Sequence, residues 1–179
     1  MAGGALIAID DGLRARVGAL GDALRARGWR LASAESCTGG LLAGTCTAPA
    51  GASDWFAAGF VTYANDAKSG LLGVPAALIE AHGAVSAEVA DAMARGALLH
   101  AGVQLALSIT GVAGPGGGSV AKPVGTVWLG LACVDGRGGV ASRTELLQLA
   151  GDRDAIRART VQAALDRLVA AARAGGLPG

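Results

Sequence analysis

Leu31-Ala32-Ser33-Ala34-Glu35-Ser36-Cys37-Thr38-Gly39-Gly40-Leu41-Leu42 decides how the chain is read. An apolar approach that suits a strand runs into four side chains able to accept, donate or attack. Two glycines follow, and then the apolar start of a buried helix. A strand-to-helix junction of this kind gathers backbone N–H groups and the positive end of a helix dipole in one place. Ser36 there has two uses. It can be an ordinary N-cap, the commoner use on position alone, or a nucleophile whose oxyanion the helix start stabilises.

Outward from the junction, helices and strands alternate. Leu13, Val17, Leu20 and Leu24 recur at spacings of four, three and four, predicting an amphipathic helix from about Asp10 to Arg27, with Gly28 closing it. The first strand is Trp29–Ala34, and the helix behind Gly39-Gly40 stops near Pro49, where 49–53 reads as a turn. Phe56–Tyr63 is a second strand, followed by a short helix carrying Lys68, Leu71 and Leu72, and another from Pro75 to His82. Ser86 is placed to cap a helix running to about His100.

Gln104–Ile109 is a third strand and Thr110–Lys122 a glycine-rich loop. Gly125–Val134 and Val140–Leu149, joined across Asp135–Gly139, carry a hairpin signal. A last helix starts near Asp152, and the tail Gly175–Gly179 reads as frayed. The order predicts a three-layer α/β/α sandwich with a mixed, mostly parallel sheet of about five strands. One domain over 1–179, with its core at about 10–172, accommodates it.

Composition narrows the function. The 179 residues carry a formal charge of +1 with scattered signs, so nucleic acid is not favoured as a partner. Cys37, Cys46 and Cys133 are an odd set without a Cys-x-x-Cys pair, against a disulfide framework or a cysteine zinc site. No Asp/His cluster has metal-ligand spacing, and no cofactor is expected. The start Met1–Asp11 lacks the basic and apolar regions of a signal peptide. Residues 96–121 are free of charge but too rich in glycine and polar groups to span a membrane. A soluble cytoplasmic protein is expected, as a homo-oligomer, most simply a dimer, because Trp55-Phe56 follows a turn and is expected to be exposed.

Three strand-end stretches compete for chemistry. They are Glu35–Gly40, Thr62–Lys68 and Thr110–Gly118. In an open α/β sheet, the ends of parallel strands converge on one crevice. The glycine loop offers unhindered N–H groups for a phosphate or carboxylate but has neither a P-loop nor a dinucleotide fingerprint. Cys37 could attack from a helix start, but it needs a base, and His82 and His100 sit in remote helical contexts. Lys68, in apolar surroundings, can lose enough basicity to accept a proton. Ser–Lys pairs are an established alternative to the triad.

These segments resemble a known family. Ala34–Gly40, Phe60–Tyr63 with Asn65 and Ala67-Lys68, His82–Ser86, Ile109–Pro115 with Gly117-Gly118, Lys122–Val127 and Gly151–Arg153 look like the C-terminal domain of the competence/damage-inducible CinA proteins. That domain also stands alone as nicotinamide-nucleotide amidase. The resemblance implies hydrolysis of the carboxamide of nicotinamide mononucleotide, giving nicotinic acid mononucleotide and ammonia for NAD recycling.

By the resemblance, Ser36 is the nucleophile, Lys68 its base, and Tyr63 and Thr110 supports through hydrogen bonds. Glu35, Thr38, Gly39, Gly40, Gly111, Gly114, Gly117 and Arg153 are the expected substrate-binding set, with the phosphate suited to the glycine loop or to Arg153. Asp66 stands where the family usually has glutamate, and Ala64 where serine is common. The chain has no room for the N-terminal domain of longer relatives. The rival reading is a non-catalytic nucleotide-binding or regulatory module linked to competence or DNA damage.

Overall fold

A computed structural model of the chain describes residues 10–177. Asp10 caps α1 (Asp11–Arg27) by accepting the N–H of Leu13 at 2.7 Å, and Leu13, Val17, Leu20 and Leu24 form its buried face. The chain continues through β1 (Leu31–Glu35), α2 (Leu41–Thr47), a 3₁₀ turn at Ala52–Asp54 and β2 (Phe56–Val61). Next come α3 (Asn65–Leu72), α4 (Ala76–His82), α5 (Ala87–Ala101) and β3 (Leu105–Gly111). Finally β4 (Thr126–Val134), β5 (Val140–Gln148) and α6 (Arg153–Ala174) complete it. The expected caps Ser86 and Asp152 are in place, accepting the N–H groups of Val89 and Ala155.

The sheet order is β2-β1-β3-β4-β5. β1 pairs in parallel with both β2 and β3, whereas β3–β4 and β4–β5 are antiparallel. Four strands thus run one way, and β4 alone opposes them. The 135–139 hairpin is closed by Asp135, whose N–H donates to Gly139 O at 2.8 Å.

The two sheet faces differ in side-chain size. Leu31, Leu105, Leu107, Ile109, Val127, Leu129 and Leu131 pack under α1, α2 and α6. The opposite face presents Ala32, Ala34, Ala106 and Ala132 to α3, α4 and α5. Small residues let α5 lie close to the sheet. Ser108 Oγ donates to Ala90 O at 2.5 Å, and a Cβ on Gly130 would run into that same carbonyl. α2, which links β1 to β2, and the helices α3–α5, which link β2 to β3, lie on opposite faces. The carboxyl end of β1 is therefore a topological switch point, where open α/β sheets place ligands.

Two expectations are corrected. Trp55 and Phe56 are 2% and 9% exposed, packed edge to face with centroids 6.1 Å apart, so this pair offers no dimer surface. The tail is not frayed where it is described, because Leu177 packs against the core; 178–179 lie outside the described residues, as do positions 1–9 of the signal-peptide reading. Among the described residues, no helix is long and apolar enough to cross a membrane.

Candidate active site

β1 ends at Glu35, and the chain turns through Ser36–Gly40 into α2. Gly39 and Gly40 take φ of 59° and 93°, a left-handed pair that side chains with a Cβ resist. The turn is fixed from within. Glu35 is fully buried, and its Oε2 accepts the N–H groups of Gly40 at 3.1 Å and Leu42 at 3.0 Å. Its Oε1 accepts that of Ala43 at 2.8 Å, with Ser33 Oγ at 3.4 Å. Glu35 is thus the cap of α2, which the sequence offered to Ser36, and its carboxylate is engaged inside the fold. Gly40, the formal N-cap residue, has no capping side chain of its own.

That cap frees Ser36, which is partly exposed at the mouth of the turn. Its Oγ lies 3.3 Å from Lys68 Nζ. Lys68 reaches it from α3, where the short helix turns its side chain under the sheet edge until only 1% remains exposed. Lys68 Nζ also donates to Thr62 O at 2.9 Å and Tyr63 O at 3.4 Å. Burial lowers the Lys68 pKa below its ordinary 10.5, against a smaller opposite pull from Cys37. Nζ thus has three oxygens within reach, Ser36 Oγ and the two carbonyls, matching the three N–H groups of an ammonium.

The remaining expected residues divide. Tyr63 supports Lys68 through its backbone carbonyl, while its exposed phenol accepts from Arg153 Nη2 at 3.2 Å. Thr110, buried beside Ser36 by strand register, spends its proton on Ala84 O at 2.7 Å and makes no hydrogen bond to Ser36 or Lys68. Arg153, the first residue of α6, also donates through Nη1 to Gly114 O at 2.7 Å, binding the glycine loop to the Tyr63 corner. Gly111 is accounted for by β4, since a Cβ there would meet Val127 and Thr126. Gly117 lies in the exposed part of its loop. Thr38 is buried, its hydroxyl without a partner among the described residues and its carbonyl taken by Arg157 Nη2 at 3.1 Å.

The expected oxyanion donors shift as a result. Between Ser36 and Gly44, the N–H groups of Gly40, Leu42 and Ala43 belong to Glu35, and Ser36, Gly39, Leu41 and Gly44 bond to carbonyls. Among the described residues, only the N–H groups of Cys37 and Thr38 in this stretch lack an acceptor in another residue. Burial pushes the Cys37 thiol up to about 11, outweighing its own backbone N–H and the nearby Arg153 and Arg157. A thiol raised in this way keeps its proton near neutral pH, which disfavours attack from it.

Sequence reading missed Arg157 and Thr62. Arg157 lies one turn after Arg153 on α6, so two cations crowd a helix start whose dipole disfavours them. The salt bridges of the described residues engage other arginines than these two. That spacing was the available signal. Thr62 gave none, since its part rests on a carbonyl and on burial.

Comparison with known proteins agrees with this architecture. A family model described as the CinA C-terminal domain matches residues 14–172. The nicotinamide-nucleotide amidohydrolase PncC of Enterobacter agglomerans is 51% identical over 154 residues, covering 86% of this chain and 90% of that protein. A CinA-like protein of Geobacter sulfurreducens is 57% identical over 144 residues, 80% of this chain but 34% of its own length. Against such proteins, this chain spans about a third. Among solved structures, the competence/damage inducible protein CihA of Agrobacterium tumefaciens superposes with a TM-score of 0.83 at 40% identity, covering 90% of this chain and 96% of that one. A CinA superfamily protein of Escherichia coli gives 0.82 at 35% identity, with 92% and 94% covered. The chain belongs to the CinA C-terminal domain family.

Proposed function

We propose that the chain is a cytoplasmic amidase that hydrolyses the carboxamide of nicotinamide mononucleotide to nicotinic acid mononucleotide and ammonia, returning the pyridine ring to NAD synthesis. One observation carries the reading: a dry lysine amine 3.3 Å from a partly exposed serine hydroxyl. A pure binding module has no need of such a pair, and the similarity to the amidohydrolase PncC supports the amide as its target.

In this reading neutral Lys68 takes the proton of Ser36 as Oγ attacks the amide carbon. The N–H groups of Cys37 and Thr38, free of other acceptors, receive the oxyanion. The adduct collapses as the C–N bond breaks and Lys68 gives its proton to the departing nitrogen, releasing ammonia. Water then attacks the acyl-serine ester, losing a proton to Lys68, which returns it to Ser36 Oγ as the acid leaves. The substrate phosphate is assigned to the Arg153 side of the cleft, where two arginines lack an acidic partner among the described residues.

Ammonia release from nicotinamide mononucleotide by wild type, Ser36→Ala and Lys68→Ala tests this. Turnover by wild type and a loss of roughly 10²–10⁴-fold in each variant are expected. Nucleotide binding without wild-type turnover would support the regulatory module instead.

A further inference from the structure

Thr62 is fully buried, and among the described residues its Oγ1 has no hydrogen-bond partner. A buried, unpaired hydroxyl carries a desolvation cost that a valine of the same shape would not. Its position is specific. The β1–β2 ladder pairs Glu35 with Val61 and continues as Thr62 N–H donates to Glu35 O at 2.8 Å. Thr62 is therefore the lateral neighbour of Ser36. Val61 is exposed, whereas Phe60 packs on the α3–α5 side with Ala34, so Thr62 and Ser36 share that face by the two-residue period of a strand. The carbonyl of the same residue holds Lys68 Nζ at 2.9 Å.

We propose that Thr62 is a positioning residue for the departure of the leaving nitrogen, its hydroxyl receiving an N–H of the Lys68 ammonium as that group turns from Ser36 toward the substrate. The inference rests on the Ser36–Lys68 amidase reading. Once Lys68 holds the serine proton, it has three N–H groups. Two stay on the carbonyls of Thr62 and Tyr63, and the third must pass to nitrogen as the C–N bond breaks. Turning the ammonium stretches the longer bond, 3.4 Å to Tyr63 O. An unused hydroxyl on the residue whose carbonyl already holds Nζ is placed to keep the ammonium solvated through the turn. Thr110 is the poorer candidate, because its own hydroxyl is anchored on Ala84 O.

The test separates leaving groups that need a proton from those that do not. Acylation of Ser36 is followed in a single turnover with the para-nitroanilide and the para-nitrophenyl ester of nicotinic acid. Anilide cleavage needs nitrogen protonated, whereas the phenolate departs unaided. In Thr62→Val, anilide acylation is expected to slow by roughly 10²-fold. Ester acylation should stay within about twofold of wild type and Tm should not fall, and Thr62→Ser should restore the anilide rate.

Equal slowing of both substrates, or none of either, would overturn the inference. So would a Thr62→Val loss accompanied by a lower Tm that serine does not repair. A wild type that the ester fails to acylate at Ser36 removes the nucleophile, and the inference with it. A wild type that passes here but releases no ammonia from the mononucleotide loses only its assigned substrate.

Discussion

Glu35 Oε2 accepts the N–H of Leu42 at 3.0 Å, so the residue before Ser36, and not Ser36, closes the start of α2. Three helix-start amides depend on this one carboxylate in a dry interior. Glu35→Ala strands all three and is expected to cost about 3 kcal/mol. At roughly 2–4 °C per kcal/mol for a chain of this size, calorimetry should show a clear fall in Tm. Glu35→Gln keeps the shape but turns a donor toward donors, so it should fall between alanine and wild type. A Glu35→Ala protein as stable as wild type would mean the amides find other acceptors.

Lys68 ties activity and stability to pH with the same sign, whereas its removal should move the two in opposite directions. Its pKa is lowered from 10.5 by burial, so the folded chain holds this proton less well than the unfolded chain does. The resulting destabilisation is full below the folded-state pKa and fades as pH rises from there toward 10.5. Lys68→Met should therefore raise Tm at neutral pH, with the gain shrinking as pH climbs. The same substitution should lower kcat by roughly 10²–10⁴-fold. In wild type, the acid limb of kcat/KM should report the Lys68 proton at a pH below 10.5. A Lys68→Met protein destabilised at every pH would contradict the assignment.

The order of elements was legible because each had a local cause. The α1 periodicity, the Ser86 and Asp152 caps and the 135–139 hairpin all lie within a few residues of their signals. The Ser36–Lys68 approach spans 32 residues and joins the end of β1 to α3 across the β1–β2 pairing. Local pattern carries no such information. It also misassigned the cap. Ser36 has the residue type an N-cap uses, but two left-handed glycines lengthen the turn and bring the longer Glu35 side chain to the helix start. The observed bonds from Lys68 to Thr62 and Tyr63 end on carbonyls, which every residue has, so they leave no mark in the sequence.

Cys37, next to Ser36, should be a bystander. Its thiol is buried and raised to about 11, so the reactive thiolate is scarce at neutral pH. Iodoacetamide at pH 7.5, a working value near neutrality, should leave native Cys37 unlabelled and activity intact. Cys37→Ala should retain near wild-type kcat while losing about 1 kcal/mol of stability from the missing sulfur. Activity that falls in step with alkylation of Cys37 would reinstate the thiol as a participant.

Arg153 holds the cleft together and carries charge into it. Its guanidinium bridges Gly114 O at 2.7 Å and the Tyr63 phenol at 3.2 Å, two neutral partners that leave its charge uncompensated. A phosphate can displace the exposed phenol without loss, since a charge-assisted bond replaces a neutral one. Arg153→Ala should raise KM for nicotinamide mononucleotide by roughly 10–100-fold, the equivalent of about 1.5–3 kcal/mol for a hydrogen bond to a charged group. Nicotinamide riboside lacks the phosphate and should be processed by wild type and Arg153→Ala with similar kcat/KM. The preference for nucleotide over nucleoside is then the readout. Were both substrates weakened equally, Arg153 would be acting by bracing the glycine loop, and the phosphate would have to be held elsewhere, with Arg157 the next cation on the same helix face.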